Sequence, residues 1–189
     1  MNIKVIIIVA FSYIYLFFEL FMNMKRNRLL SFNKSNDKGS LRLLYILITI
    51  GYILSFLIGS TRTGRIYHWD MFFIMGILLI AAGLFIRIKA ILTLNKYFTY
   101  VVSKIDDHKL IETGLYKRIR HPGYLGQIII FIGISCALSN WLSIALMFIP
   151  VMIGYLYRIK VEEKFMEDQM GEVYINYQKR TNKLIPLIF

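Results

Sequence analysis

A proline-centred polar segment interrupts the apolar sequence at residues 112–126, ETGLYKRIRHPGYLG. Pro122 removes a backbone donor and disfavours helical geometry at His121. Three glycines in the segment allow the backbone to turn sharply or to approach another group closely. Around this break the sequence gathers aromatic and basic side chains that could stack on a ligand or hold an anion. These are Tyr116, Arg120, His121 and Tyr124.

The second polar segment, residues 158–177, supplies carboxylates: RIKVEEKFMEDQMGEVYINY. Glu162 lies four residues after Arg158, so the two share one helix face and could each hold a different ligand group. A plain Arg158–Glu162 helix pair explains the same spacing, and both interpretations stay open at this point. We predict that the two polar segments fold over one ligand.

Several familiar catalytic patterns are absent from the sequence. It has no G-x-G-x-x-G or P-loop motif, no H-E-x-x-H or other paired histidines, and no G-x-S-x-G. The single cysteine, Cys136, excludes an intramolecular disulfide and a cysteine-cluster metal site. We therefore predict no metal, no Rossmann-type or P-loop phosphate site and no serine hydrolase. A transporter would carry charges deep within several spans, and beyond Glu19 there are almost none.

The composition is that of a membrane protein. Of the 189 residues, 57% are hydrophobic, and the mean hydropathy is +0.57, too high for a soluble globule of this size. The net charge of +12 could suggest nucleic acid, but the basic residues gather between apolar runs. In that arrangement they are typical of topology signals and lipid-headgroup contacts, so we expect no nucleic-acid partner.

Five apolar runs predict an all-α integral membrane bundle, because a helix needs about 20 apolar residues to cross a bilayer. We expect a single membrane domain, residues 1–189, and a charged cytoplasmic helix over about 160–179 after the last span. Glu19 in the first span is either a functional intramembrane acid or a carboxylate that snorkels or pairs with another helix. The predicted spans are residues 3–22, 43–60, 71–92, 124–138 and 141–157.

The basic residues also orient the bundle through the positive-inside rule. All 23 lysines and arginines except Lys4, Arg62 and Arg65 fall in segments on one side of the predicted membrane. The rule predicts an outside N-terminus, a cytoplasmic C-terminus and both polar segments at the cytoplasmic face. A bias toward Ile, Lys and Asn indicates an AT-rich genome, and from it we expect a bacterial cell membrane.

The motifs resemble those of the isoprenylcysteine carboxyl methyltransferase family. The resemblance rests on TGLYKRIRHPGYLG, then R-x-x-x-E-E at 158–163, GEVYINYQKR and a terminal IP. It extends over about residues 95–186, the expected cofactor-binding part, and implies a membrane enzyme that uses S-adenosylmethionine. Phospholipid N-methyltransferases share a similar arrangement, so the motifs indicate the superfamily more specifically than the methyl acceptor.

The resemblance also implies roles for individual residues. Arg158 would hold a carboxylate of the substrate, and Arg158 and His121 are the expected catalytic residues. The substrate would be lipophilic, with an isoprenylcysteine-like carboxylate that is converted to a methyl ester. The expected cofactor-binding residues are His108, Lys109, Leu110, Ile111, Tyr116, His121, Pro122, Gly123, Tyr124 and Glu162.

Methylation of a carboxylate fits a site without a nucleophile–base pair, because a carboxylate is already ionised at pH 7. Such a site must position the reactants and exclude water. An amine or phenol acceptor would need a base, for which His121 or Glu163 is a candidate. Two further functions remain open. A sterol-reductase-like enzyme would bind NADPH through more basic or hydroxyl groups, and a non-catalytic scaffold would not need His121 and Glu162 together.

Overall fold

The computed structural model describes residues 3–29, 37–98, 100 and 110–185, without the side chains of residues 25–29 and 96. These ranges contain six α-helices and two short 3-10 turns, at Asn95–Tyr97 and Gly114–Lys117. The helices are α1 (Ile3–Leu29), α2 (Ser40–Gly59), α3 (Trp69–Leu94), α4 (Pro122–Ala137), α5 (Trp141–Met170) and α6 (Glu172–Arg180).

The predicted all-α membrane bundle is confirmed, with one helix shorter than the rest. Helices α1, α2, α3 and α5 are each long and apolar enough to cross a bilayer, and large hydrophobic side chains cover their outer surfaces. The fourth predicted span corresponds to α4, which has only 16 residues. Most of α4 is buried between neighbouring helices. It is therefore the central helix of the bundle, and α3 packs along it.

Helices α3 and α4 pack closely because glycines face each other at two levels. A Cβ atom at Gly76 would lie 2.6 Å from the carbonyl oxygen of Gly133, and one at Gly83 would lie 2.6 Å from that of Gly126. Gly76 and Gly83 are buried in this contact, whereas neighbouring Ala82 is exposed. This close approach brings the end of α3 to the start of α4, which lies within the proline-centred segment.

The two-residue gap between the predicted spans 124–138 and 141–157 is a tight turn that joins α4 to α5 at one end of the bundle. Ser139 adopts a positive φ of 53°. Asn140 caps α5 by accepting from the backbone N–H of Ser143 and donates to the carbonyls of Ile58 and Thr63. Further along, Ser55 and Ser143 share a buried hydrogen bond of 2.6 Å that joins α2 to α5.

The charged helix predicted over about 160–179 is present, but as two pieces: the end of α5 and the short helix α6. Helix α5 continues without a break to Met170, since no glycine or proline interrupts residues 155–170. The break comes at Gly171, whose φ of 53° disfavours any residue with a side chain, and α6 follows. The division into a single domain with a cofactor-binding part at 95–186 stays a prediction.

The chain end fixes the proline-centred segment by backbone pairing. The amide of Arg120 donates to the carbonyl of Asn182 at 2.8 Å, and the amide of His121 donates to that of Lys183 at 3.0 Å. The amide of Asn182 donates in turn to the carbonyl of Arg118 at 3.0 Å. His121 therefore has its backbone fixed just before α4, and Pro122 starts that helix as its first residue.

We expect Gly83→Val to destabilise the bundle by about 1–3 kcal/mol, the usual cost of overpacking, because the added atoms meet the backbone of α4. The measurement is the thermal unfolding midpoint in detergent. Ala82→Val adds similar bulk at the adjacent exposed position and should leave the midpoint unchanged. Equal midpoints for the two variants would contradict the close α3–α4 contact.

Candidate functional site

Two cavities meet at one end of the bundle, where α1 and α3 end and α2 and α4 begin. The first, which we call the aromatic pocket, is lined chiefly by Tyr116, Tyr124, Glu162, Phe165, Tyr174 and Tyr177. The second, the apolar chamber, is larger, at about 440 Å³. Its walls come from α1, α2, α4 and α5 and include Tyr15, Leu44, Tyr52, Phe56, Phe131 and Tyr155.

Three residues belong to the walls of both cavities: Arg87, Phe98 and Tyr124. The guanidinium of Arg87 lies 5.2 Å from the centre of the Phe98 ring, in cation–π contact. A Cβ atom at Gly123 would lie 3.0 Å from Nη1 of Arg87, so the glycine leaves space for that arginine. Among the described residues, these three side chains therefore form a common wall between the two cavities.

The Tyr124 hydroxyl links the two halves of the site. It donates to Oε2 of Glu162 at 2.6 Å and accepts from Nε of Arg158 at 3.3 Å. Arg158 and Glu162 share a helix face as predicted, yet among the ion pairs of the described residues they do not contact each other directly. The simple helix pair is thus replaced by a bridge through Tyr124, and each charged group faces a different cavity.

Glu162 is the accessible carboxylate of the aromatic pocket. Its side chain is 33% exposed, and its Oε2 lies 3.9 Å from Nδ1 of His121. The rings of His121 and Tyr124 stack at 5.4 Å with an interplanar angle of 5°. This stacking holds Tyr124 beside Glu162, whose Oε2 accepts the hydrogen bond from the Tyr124 hydroxyl. The rest of the Glu162 carboxylate remains partly accessible to a ligand.

Glu163, unlike the adjacent Glu162, is buried and held in an ion pair. Its Oε1 accepts from Nε of Arg120 at 2.7 Å and lies 3.4 Å from Nε2 of His121. Arg120 also donates to the backbone carbonyls of Gln178 and Thr181. The pair therefore connects the proline-centred segment, α5 and the chain end. A carboxylate held in this way is poorly placed to act as the general base considered from the sequence.

The tyrosines of the aromatic pocket are neutral and packed against one another. Burial raises the pKa of the Tyr116, Tyr174 and Tyr177 hydroxyls well above the usual value. The hydroxyl of Tyr177 donates to the backbone carbonyl of Tyr116 at 2.7 Å. Tyr174 and Tyr177 lie next to each other with ring centroids 5.9 Å apart. The pocket therefore offers uncharged aromatic faces, with Glu162 as an accessible negative charge.

Arg158 is buried at the edge of the apolar chamber and has four partners from its own chain. Nη1 donates to the Asp37 carboxylate and, at 2.6 Å, to Oγ of Ser40. Nη2 donates to the backbone carbonyl of Tyr100 at 2.5 Å. With the bond from Nε to Tyr124, the guanidinium is anchored on both edges. The ion pair with Asp37 had no counterpart among the sequence-based predictions.

A second buried ion pair at the chamber joins Glu19 to Arg87, a partner that the sequence did not indicate. Arg87 donates to Glu19 through Nε at 3.1 Å and Nη2 at 2.9 Å. The hydroxyls of Tyr15 and Tyr100 donate to the same carboxylate at 2.9 and 2.7 Å. Of the two interpretations of Glu19, pairing with another helix is the one the structure supports. The sequence signal for this pair was a single acid and a single base, each near the end of a different apolar run.

The remaining predicted site residues divide into two groups. Leu110, Ile111 and Gly123 line the aromatic pocket, and Pro122 is buried at the start of α4. His108 and Lys109 lie outside the described residues. Within the described ranges, no three side chains of His, Cys, Asp or Glu group as metal ligands would. The predicted roles of these residues stay predictions.

Comparison with known proteins identifies the family. A model of the isoprenylcysteine carboxyl methyltransferase (ICMT) family matches residues 74–168. The chain belongs to this family. The resemblance inferred from the motifs is thereby confirmed. The matched region runs from within α3 through the proline-centred segment and α4 and ends in α5, five residues after the R-x-x-x-E-E element. Phospholipid methyltransferases and sterol reductases are not favoured by these matches.

Similar proteins include two named methyltransferases. Protein-S-isoprenylcysteine O-methyltransferase of Saccharomyces cerevisiae is 34% identical over 117 residues, 61% of this chain and 49% of that protein. A probable protein-S-isoprenylcysteine O-methyltransferase of Oryza sativa subsp. indica is 32% identical over 123 residues, 64% of each chain. This chain thus spans about half to two thirds of these relatives. Both are eukaryotic and give no support for a bacterial source.

The fold is also similar to a solved structure. The eukaryotic intramembrane Ras methyltransferase ICMT superimposes with a TM-score of 0.62 at 27% identity. The match covers 76% of this chain and 52% of the solved one. Together with four apolar helices long enough to span a bilayer, it identifies a multi-pass membrane protein.

Glu163→Gln should lower stability by about 3–5 kcal/mol, because it leaves the Arg120 guanidinium buried without its counter-charge. Thermal unfolding in detergent measures the change. Asp168→Asn removes an equally negative side chain from the exposed Lys164–Asp168 pair of the same helix, and we expect a change below about 1 kcal/mol. Similar losses for both variants would show that Glu163 does not fasten the segment.

Proposed function

We propose that this protein is an S-adenosylmethionine-dependent methyltransferase that methylates the carboxylate of a lipophilic, isoprenylcysteine-like acceptor. The observation that carries the proposal is the pair of cavities with a common wall of Arg87, Phe98 and Tyr124. One cavity is aromatic with an accessible carboxylate, and the other is apolar with arginines at its edge. These are the environments that a cationic nucleoside and an anionic lipid each require.

The aromatic pocket fits the chemistry of the cofactor. The rings of Tyr116, Tyr174 and Phe165 offer faces for stacking on an adenine and for cation–π contact. Glu162 could accept from ribose hydroxyls or balance a positive charge. When bound, S-adenosylmethionine supplies a methyl group on a cationic sulfur, and the carbon–sulfur bond breaks as the carbon–oxygen bond forms. His121 would keep Tyr124 and Glu162 in position.

The aromatic pocket must widen to admit such a cofactor. Its volume is about 120 Å³, below the roughly 300–1,000 Å³ of typical ligand sites. Phe165 and Met166 on α5 and Tyr174 on α6 line it from one side. Because Gly171 separates those two helices, a small change in the angle between α5 and α6 would enlarge the pocket.

The apolar chamber fits a prenyl or similar lipid chain. Its volume of about 440 Å³ is within the usual range for a small ligand, and its lining is mostly hydrocarbon and aromatic. The charged groups of its lining are Glu19, Arg87 and Arg158, of which Arg87 also borders the aromatic pocket. A lipid whose carboxylate points toward these guanidiniums would present its oxygen at the common wall, next to the cofactor side.

No proton needs to be transferred in this reaction, since the carboxylate is ionised at pH 7. The residues around the site act by holding the acceptor and by excluding water from the gap between the two cavities. Phe98 and Tyr155 supply the apolar surroundings, and Tyr124 stays neutral while it hydrogen-bonds to Glu162. His121 would then be a positioning residue and not a general base.

Binding of S-adenosylhomocysteine to the detergent-purified protein, measured by calorimetry, tests the cofactor site. We expect micromolar binding that Glu162→Gln weakens about 10- to 100-fold, the size of one hydrogen bond to a charged group. Asp168→Asn is the control for loss of a negative charge on α5 and should bind normally.

Transfer of labelled methyl to S-farnesylcysteine, but not to its methyl ester, tests the acceptor in the same preparation. A well-folded protein that binds NADPH instead of S-adenosylhomocysteine would overturn the cofactor assignment. Labelling of amine lipids in a membrane extract without labelling of S-farnesylcysteine would overturn the carboxylate acceptor alone.

We also propose that the N-terminus lies outside and that both cavities face the cytoplasm. The support is the small number of basic residues at the end of the bundle opposite the cavities. Lys4 and Arg65 lie at that end, near Trp69 and Asp70. This end carries few basic residues.

Cysteine labelling in intact cells tests the orientation, because the native Cys136 is buried and should not react. A cysteine at Ser60 should react with a membrane-impermeant maleimide, and one at exposed Lys179 should react only after the cells are opened. The reverse pattern would invert the proposed topology.

A further inference from the structure

The Arg158 guanidinium already carries a carboxylate, and that carboxylate comes from the chain itself. Asp37 forms an ion pair with Nη1 of Arg158, and both side chains are buried, with 11% of the Asp37 side chain exposed. Asp37 lies 121 residues before Arg158 in the sequence, just ahead of α2. Under the proposed function, Arg158 is also the group that receives the carboxylate of the acceptor.

The donors of Arg158 leave little room for a second carboxylate beside Asp37. Nη1 donates to Asp37 and Ser40, Nη2 donates to the carbonyl of Tyr100, and Nε donates to the hydroxyl of Tyr124. An incoming carboxylate held through two parallel bonds, the strongest geometry for a guanidinium, needs donors that these partners now use. Asp37 is the partner with the same charge and the same acceptor atoms as the ligand.

We propose that Asp37 occupies the position of the acceptor's carboxylate on Arg158, and that the acceptor binds by replacing it. This inference rests on the proposed function, and it makes Asp37 a specificity-determining residue. Only a group with a negative charge can replace Asp37 without leaving a buried guanidinium unpaired, which is costly. A neutral lipid amide or ester in the chamber would leave the Asp37–Arg158 pair in place.

The same exchange favours release of the product. Methylation forms an ester, which has no charge to offer Arg158. Asp37 can then return to the guanidinium, and the buried charge is compensated again. Two further hydrogen bonds hold Asp37 at the start of α2, beside Arg158: its Oδ2 accepts from the backbone N–H of Leu41 at 2.9 Å and its Oδ1 from Oγ of Ser40 at 3.3 Å.

The test compares binding of S-farnesylcysteine and of its methyl ester to the wild type and to Asp37→Asn. Asparagine keeps an oxygen that can accept from Leu41, so the start of α2 is retained. We expect Asp37→Asn to bind the free carboxylate about 10- to 100-fold more tightly than the wild type, because its Arg158 lacks a counter-charge. Affinity for the methyl ester should stay within about threefold of the wild type.

Thermal unfolding gives a second readout that does not depend on catalysis. Asp37→Asn should unfold at a lower temperature than the wild type, and S-farnesylcysteine should recover the loss while its methyl ester should not. Asp37→Ser, also neutral and able to accept from Leu41, repeats the comparison if the asparagine variant folds poorly. Asp168→Asn controls for net charge and should match the wild type.

The outcomes separate this inference from the proposed function. Equal affinity of wild type and Asp37→Asn for the carboxylate, with normal methyl transfer by the wild type, would overturn the role of Asp37 and leave the function intact. Binding of S-adenosylhomocysteine together with no binding of S-farnesylcysteine by any variant would overturn the carboxylate acceptor, and the exchange with it.

Discussion

Charge buried in an apolar bundle must be neutralised locally, because neither lipid nor hydrocarbon side chains solvate it. Among the described residues, three buried ion pairs meet this requirement around the two cavities. Each pair joins elements far apart in the sequence, so the pairs determine which helix ends meet. The Glu19–Arg87 pair joins α1 to α3, and the Asp37–Arg158 pair joins the start of α2 to α5, in addition to the apolar packing of these helices. The pairs are Glu19–Arg87, Asp37–Arg158 and Arg120–Glu163.

The sequence allowed the helices and the candidate residues to be predicted, because both depend on local features. Apolar runs of sufficient length indicate spans, and a proline flanked by glycines and aromatics indicates a break at which side chains gather. The predicted end of the fifth span, at residue 157, falls short of the end of α5 for a reason that is also local. A change from apolar to charged residues after Tyr157 marks the membrane surface but does not end a helix, and Gly171 does.

The missed features all depend on tertiary contacts. Arg87 and Glu19 are separated by 68 residues, and Arg158 and Asp37 by 121. No spacing rule applies at such distances, so a single sequence shows only isolated charges near the ends of apolar runs. The bridge through the Tyr124 hydroxyl could not be predicted from the sequence either, because it depends on how α4 and α5 pack against each other. These contacts nevertheless determine which cavity each charged group faces.

The proposed reaction suits a site whose buried charges are balanced before any ligand binds. Methyl transfer to a carboxylate removes one positive and one negative charge together. The net charge of the site is therefore the same before and after the reaction. Glu162 faces the cationic side and the arginines face the anionic side, with the neutral Tyr124 between them. Arg87 and Phe98 of the common wall are buried, and Arg87 is paired with Glu19, so opposite charges attract across this wall more strongly than they would in water. The same wall keeps water from competing for the methyl group, which is why the common boundary of the two cavities is the expected place of reaction.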